Sequence, residues 1–433
     1  MNRTESSINK KINKLDVTQS KISAQIKEVK NQIKPVNQRS YAMYKKRELL
    51  LRKAIVKPSF DKKTVLTDSH WHYIELLLRS GKEKNCEEAL NYWNQAKNFY
   101  LATQELDLVS KPLTTYYCFL NATKALLTYK NVKFDPKHGI SGQRQKGQVK
   151  LQNEFVKLHK KGVLAGLSNY LNQPIKIDQD NKNFFANKQI PIISKEVFLK
   201  IKEHIISGDE QEFNRKLTSY LENKKKTESK PEVYTLKDLL YNLEYVHRAY
   251  KLTFPSDTEL FIPILNPRFV TDKKSGWLEF QLESEYSKKR VLNHFSDFEL
   301  DEHYGLNTCY LKTKEKFNWV TSSKAKNYND FLNYYHKYRN AFVYIYSTNE
   351  LWYYKRNDLK SRIIFKNSMV LTLASMHRLS EMSRYDPNTL SAHLDSKHGW
   401  LLSEFINKSI YQFVDMISSE ISGDDFRATG FRN

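Results

Sequence analysis

The chain has 433 residues, 40% of them hydrophobic, with 71 Lys and Arg against 48 Asp and Glu for a formal net charge of +23. That length supports about two or three domains, and only 12 glycines with 11 prolines favour helix over a strand-and-turn architecture. No apolar run of about 18 residues marks a membrane span, the polar start lacks a signal-peptide core, and the widely spaced Cys86, Cys118 and Cys309 point to a reducing cytoplasm rather than to disulfides or a metal knuckle.

The N-terminal segment carries the clearest period. Ile8, Ile12, Leu15, Gln19, Ile22, Ile26, Val29 and Ile33 step by four and three, a coiled-coil seam that Pro35 ends. Isoleucine at most seam positions suits three or four strands as well as two, and the flanking residues carry no matched charges. The expectation is a homo-oligomer, or a helix shared with a partner protein, through Ile8, Ile12, Leu15, Ile22, Ile26, Val29 and Ile33. Folding back onto the chain's own body is the alternative. Residues 1–60 hold 15 Lys and Arg against 4 Asp and Glu, a local net of +11. Residues 37–58 read as a basic helix in which Lys45, Lys46, Arg47 and Arg52 alternate with Tyr41 and Tyr44. Such a stretch is either a solvated face or a phosphate-contacting one, because cations release condensed counterions when they meet a polyanion.

His70 and His72 have the spacing of a zinc half-site, but no third ligand stands close in sequence and no metal is expected. From Glu87 to Leu106, the residues Leu90, Trp93, Ala96, Tyr100 and Thr103 share one helix face. The next stretch is the most informative. Ser110 and Pro112 open a helix, Tyr116, Phe119, Leu120, Thr123, Leu126 and Leu127 form its apolar face, and Pro136 and Gly139 place Lys137 and His138 on the exit loop. The pattern Tyr116-Tyr-x-Phe-x-Asn-Ala-x-Lys-Ala-Leu-Leu127 followed by Lys137-His-Gly139 resembles the YaaC-like proteins of bacteria. More distantly, it resembles the helical HEPN domains. Those resemblances imply an antiparallel helical pair at the core and a place in an anti-phage defence or stress-response module.

A second basic stretch follows His138, with Arg144, Lys146, Lys160 and Lys161. Lys137, Arg144, Lys146, Lys160 and Lys161 join Lys45, Lys46, Arg47 and Arg52 as the expected nucleic-acid contacts. Residues 222–231 read as an exposed linker, and Leu236 to Leu252 as a helix. The period then changes. Leu260–Leu265, Gly276–Leu282, Thr308–Lys314, Ala341–Tyr346 and Leu351–Tyr354 alternate as strands of a small antiparallel sheet. Apolar helices return over Ile363–Met382 and Trp400–Ile421, separated by a break at Ser383-Arg-Tyr-Asp-Pro387 that also resembles the YaaC-like proteins. His377, Arg378, Arg384 and Tyr385 in that block are either buried hydrogen-bonding residues or the polar floor of a pocket.

A reaction is harder to read. HEPN ribonucleases place about four to six residues between an arginine and a histidine, for phosphate binding and proton transfer. Here Arg290 and His294 are only four apart, and Arg339-Asn340 is followed by Tyr344 where a histidine would be wanted. Asp272 and Glu279, with Gln281, resemble the carboxylate arrangement of a Mg²⁺-dependent nuclease, although a turn with a polar strand face has the same letters. No Walker loop, dinucleotide fingerprint or serine-hydrolase elbow is present, and no cofactor is expected.

The expected fold is mostly α within an α+β layout: a HEPN-like helical core, an inserted small sheet and an N-terminal coiled-coil helix. The expected segments are 1–58 (basic helix), 59–230 (helical domain), 231–360 (mixed region with the sheet) and 361–433 (helices on the core). The expected function is that of an oligomeric cytoplasmic protein binding nucleic acid or a partner subunit. The alternative is a nuclease effector, with His138, Arg290, His294, Asp272 and Glu279 as candidates for its catalytic residues.

Overall fold

A computed structural model describes residues 18–19, 21–23, 25, 40–81, 84–176, 232–272, 274–286, 289–301, 309–319, 324–347, 349, 351–359 and 362–428. Of the heptad seam, Gln19 and Ile22 are among them, both helical and exposed, Ile22 at 51%. Ile8, Ile12, Leu15, Ile26, Val29 and Ile33 lie outside the described residues, as do residues 222–231. The chain divides into two compact units, each built from two separate stretches: residues 1–63 with 261–358, and residues 64–260 with 359–433.

The first unit is built on a sheet. Its eight strands are antiparallel, and the main path runs Phe298–Leu300, Cys309–Thr313, Ser275–Leu282, Phe261–Thr271, Leu351–Lys355, Phe342–Ile345. Ser40–Tyr41 pairs with Val270–Thr271, and Phe317–Asn318 pairs with Ser275–Gly276. Alternation along these strands sends Phe269, Leu278, Phe280, Phe342 and Tyr354 to one face. There they meet Phe331, Tyr334, Tyr335 and Tyr338 of the Lys324–Arg339 helix. Edge-to-face pairs such as Phe269 with Phe331 (5.0 Å) stabilise such a core by about 0.5–1.5 kcal/mol each beyond their area.

Segment 40–63 is integral to this core. Ala42, Leu49, Leu51 and Phe60 are buried in it, and the Ala42 amide donates to the Phe269 carbonyl at 2.9 Å. Arg339 pins the segment. Its guanidinium donates to the carbonyls of Arg52 (2.7 Å), Lys53 (2.9 Å) and Phe342 (2.5 Å) and lies over Trp352.

The expectation of a mostly helical chain with a HEPN-like core and a small sheet is therefore overturned. The fold is α+β: of the described residues 48% are helical and 20% lie in strands, with an eight-stranded sheet. The strands that escaped notice lack the usual signals. Met43–Tyr44 and Arg47–Glu48 form a hairpin whose turn residues, Lys45 and Lys46, take φ of +46° and +65°. Asn-Gly is the usual sequence mark of such a turn, so Lys-Lys reads as helix.

The second unit is mainly helical. We number its helices α1 His70–Ser80, α2 Asn85–Thr103, α3 Lys111–Tyr129, α4 Val163–Tyr170, α5 Leu236–Tyr241, α6 His247–Thr253, α7 Ser368–Tyr385, α8 Pro387–Leu394 and α9 Gly399–Ser422. Local chemistry sets their ends. Asn367 caps α7 by accepting the Met369 amide at 2.9 Å, and Asp386 with Pro387 opens α8. Thr235 and Asp238 form a capping box on α5, and Gly423 at φ +77° closes α9. Helix α3 lies at the centre, packed on α2, α7 and α9. Its expected face is buried throughout, with Phe119 stacked on Phe413 at 4.2 Å.

Two smaller sheets complete the unit. Ile140–Arg144 pairs with Glu154–Leu158, which pairs with Val233–Thr235, and Val65–Thr67 runs parallel to Phe426–Ala428. His70 and His72 lie on α1 rather than on a strand, so a two-residue step points them apart. His70 is buried against Asp415 (3.0 Å), while His72 is exposed. Among the described residues no helix is long and apolar enough to cross a membrane.

Candidate functional site

The exit loop of α3 is held by two glycines. Gly139 (φ +78°) and Gly162 (φ +117°) face each other closely: a Cβ on Gly162 would strike the Gly139 backbone, and one on Gly139 would strike the Lys161 carbonyl. The Val163 and Leu164 amides donate to the Lys137 (2.8 Å) and His138 (3.2 Å) carbonyls, and the His159 amide donates to the Gly139 carbonyl (3.0 Å). Lys137 and His138 are thereby gathered beside Lys160 and Lys161. Because these first amides of α4 are already used, an anion here would be held by side chains.

The His138 ring turns back onto α3, where its Nδ1 lies 2.5 Å from the Tyr116 hydroxyl. Burial, then the charges of Tyr117 and Glu381, push the Tyr116 pKa far above its ordinary value, so the hydroxyl keeps its proton. A buried donor needs an acceptor, and His138 Nδ1 is the one it has. The neutral imidazole then carries its own proton on Nε2, as a donor at the half-buried edge of the ring. Burial and the nearby cations Lys124 and Arg384 lower the His138 pKa and keep the ring neutral. His377 of α7 packs edge-on against both Tyr116 (5.0 Å) and His138 (5.8 Å). Burial, reinforced by His138, Arg378, Arg384 and His159, drives its pKa down to about 3.

Behind these rings lies an ionic network centred on Glu154, which is fully buried. Arg378 donates to Glu154 Oε2 from Nη2 (2.7 Å) and Nε (3.1 Å), and His393 Nε2 donates to Oε1 (3.1 Å). Arg144 approaches Oε1 at 3.5 Å and donates to Thr389 Oγ1 at 2.5 Å. Burial alone would raise the Glu154 pKa, but His393 and Arg378 outweigh it and hold the carboxylate below its ordinary range. Glu381 accepts from Arg378 Nη1 (2.9 Å) and from the Gly142 amide (3.2 Å). A Cβ on Gly142 would collide with Glu381 and Arg378. The network thus ties the Ile140–Leu158 hairpin to α7 and α8.

The rim differs from the interior. Arg384 lies over the rings of Tyr385 (5.2 Å) and Tyr117 (5.8 Å) and donates to both hydroxyls, at 3.1 and 3.2 Å. Lys124 sits over Tyr92 at 5.5 Å. Neither Arg384 nor Lys124 has a carboxylate partner among the described residues.

Of the residues expected to contact nucleic acid, Lys137, Lys146, Lys160 and Lys161 are exposed in this unit, whereas Arg144 is engaged in the network. The others belong to the sheet unit. Lys45 is paired with Asp61 at 2.7 Å, Lys46 shares its exposed turn, Arg47 is half-buried, and Arg52 is buried with its guanidinium on the Lys62 carbonyl (3.0 Å).

The catalytic candidates beyond His138 also lie in the sheet unit. Asp272 accepts the Lys274 (3.1 Å) and Ser275 (2.9 Å) amides as a turn residue, and Glu279 accepts from Arg268 at 2.7 Å. His294 Nδ1 meets Asp358 at 2.8 Å, with Arg356 bound to the same carboxylate, and Arg290 lies on the short Lys289–Leu292 helix. Among the described residues no group of three or more His, Cys, Asp or Glu side chains is placed to hold a metal ion.

Sequence reasoning singled out His138, His377, Arg378, Arg384 and Tyr385 but missed Lys124, Glu154, Glu381 and His393. A usable signal was the charge inside an apolar helix: Arg378 within α7 demands a buried acid. Nothing in the spacing says that this acid stands 224 positions away.

The model of the family described as YaaC-like Protein matches residues 57–421, a range that draws on both units. No curated protein and no solved structure matches the chain.

Proposed function

The chain belongs to the YaaC-like protein family, and we propose that its helical unit binds a phosphate-bearing polyanion, with nucleic acid as the ligand. Lys124, Lys137, His138, Lys160, Lys161 and Arg384 form the contact surface. The observation that carries this reading is the contrast between interior and rim. Inside, Arg378 is matched to Glu154 and Glu381, as a buried charge must be. At the rim, Arg384 and Lys124 have no carboxylate among the described residues, and the Tyr116 hydroxyl occupies His138 Nδ1, which leaves the ring proton on Nε2 as a donor. Guanidinium, ammonium and imidazole donors without acids suit phosphate oxygens.

The nuclease reading has less support. It draws on Asp272, whose carboxylate is engaged in its own turn, and on Glu279, which is paired with Arg268.

The test is fluorescence anisotropy with labelled RNA and DNA oligonucleotides at fixed low salt, comparing wild type, His138→Ala and Arg384→Gln. Loss of two charge-assisted contacts predicts at least about tenfold weaker binding for Arg384→Gln, and a smaller loss for His138→Ala. Wild-type affinity in both variants, with unchanged melting temperatures, would remove this surface from the binding account. Cleavage of either oligonucleotide that His138→Ala abolishes would replace it with the nuclease reading.

A further inference from the structure

We propose that the Arg384 rim takes an unpaired nucleobase, so that the ligand is single-stranded and one base stacks on Tyr385. This deepens the reading that the surface binds nucleic acid and rests on it.

Tyr385 is the last residue of α7 and is 73% exposed. An aromatic ring left that open costs the protein apolar exposure, yet it is not loose, since its hydroxyl accepts from Arg384. The two rings that flank the guanidinium are unlike. Tyr117 is half-buried and stacked on Phe99 at 5.3 Å (23° between planes), so its face is taken. Tyr385 has the accessible ring face of the pair. With two of its N–H groups on the tyrosine hydroxyls, Arg384 keeps further donors for a phosphate oxygen beside that ring.

An open aromatic face beside a guanidinium with no carboxylate partner among the described residues is chemistry for a planar, anionic unit. A phosphate polymer without bases would use the cation and leave the ring idle. A duplex keeps its bases stacked and paired, out of reach of a single side chain. An unpaired nucleotide uses both, because every base presents a π-face and stacking on an aromatic residue is tolerant of sequence.

The experiment compares a labelled single strand of about 12 nucleotides, within the usual site-size range, with the duplex of the same sequence and with inorganic polyphosphate as competitor. The proteins are wild type, Tyr385→Ala, Tyr385→Phe and, as an exposed aromatic outside the site, Phe365→Ala (70% exposed). Tyr385→Ala should weaken single-strand binding by at least about fivefold and leave polyphosphate competition unchanged. Tyr385→Phe keeps the ring but loses the hydroxyl that Arg384 holds, so its single-strand affinity should lie between those of wild type and Tyr385→Ala, and Phe365→Ala should match wild type. Equal loss for polyphosphate and single strand in Tyr385→Ala, or no loss at all, would overturn the stacking proposal. If wild type binds polyphosphate and duplex as tightly as single strand, the stacking proposal alone falls. If it binds none of the three, the polyanion reading falls with it.

Discussion

His138 shows how one residue's chemistry is set by groups far from it in sequence. Its place on a basic loop was legible from Lys137-His-Gly139, because proline and glycine end a helix in a recognisable way. Its tautomer was not, since that depends on Tyr116, which the helical pattern marks only as a core residue. His377 is similar: it reads as a polar residue on an apolar helix, and only packing against Tyr116 and His138 makes it a buried neutral imidazole. That burial has a measurable sign. His377 (about 3), His247 (about 4) and His398 (about 4) all have folded pKa values depressed below the unfolded value of about 6.5, first by burial. Below pH 6.5 the unfolded chain therefore takes up protons that the folded chain refuses. Stability from these groups is fully present above about pH 6.5 and is lost as the pH falls toward about 4. Melting temperatures measured from pH 7 to pH 5 should fall, and His377→Phe should show a shallower fall. The difference in slope should be up to about 1.4 kcal/mol per pH unit, one proton's share. Parallel curves for the two proteins would mean that His377 does not titrate as described.

Helices were more legible than strands, for physical reasons that particular elements make plain. In α3 and α9 the side-chain period and the burial agree, so apolar spacing alone locates them to within a few residues. Leu236 to Leu252, expected as one helix, is instead α5, a 3₁₀ turn over Glu244–Val246, and α6. The Ile140–Leu158 hairpin lacks apolar alternation because its buried positions include Glu154 and Lys157, with Glu154 satisfied by an arginine and a histidine remote in sequence. Glycine carries the remaining information. The Gly139–Gly162 approach fixes Lys137 and His138 against Lys160 and Lys161. Gly162→Ala should cost about 1–3 kcal/mol through its φ of +117° and should separate the two loops. A thermal melt and an oligonucleotide titration check this together. Both stability and affinity are expected to drop, and undiminished affinity in the less stable protein would detach the loop geometry from binding.

At the scale of the whole molecule, the chain leaves the sheet unit after residue 63, returns at 261 and leaves again after 358, so neither unit is a continuous stretch of sequence. Local patterns cannot reveal such an arrangement, because segment 40–63 finds its partners more than 200 residues later, at Phe269 and Arg339. Any truncation aimed at the heptads must therefore end before Ser40, or it removes part of the sheet unit's core. The excess of 71 Lys and Arg over 48 Asp and Glu is likewise a property of the whole chain. A basic protein binds polyanions diffusely through net charge alone, and the central claim is that a defined surface does so. Counting released counterions separates the two. The decisive measurement is the slope of log binding constant against log salt for a single-stranded oligonucleotide, in wild type and in Lys137→Gln/Lys160→Gln/Lys161→Gln. If these three lysines meet phosphates, the slope should become shallower by about 2 units, at roughly 0.7 per lost contact. An unchanged slope and affinity in a variant that melts like wild type would contradict the account.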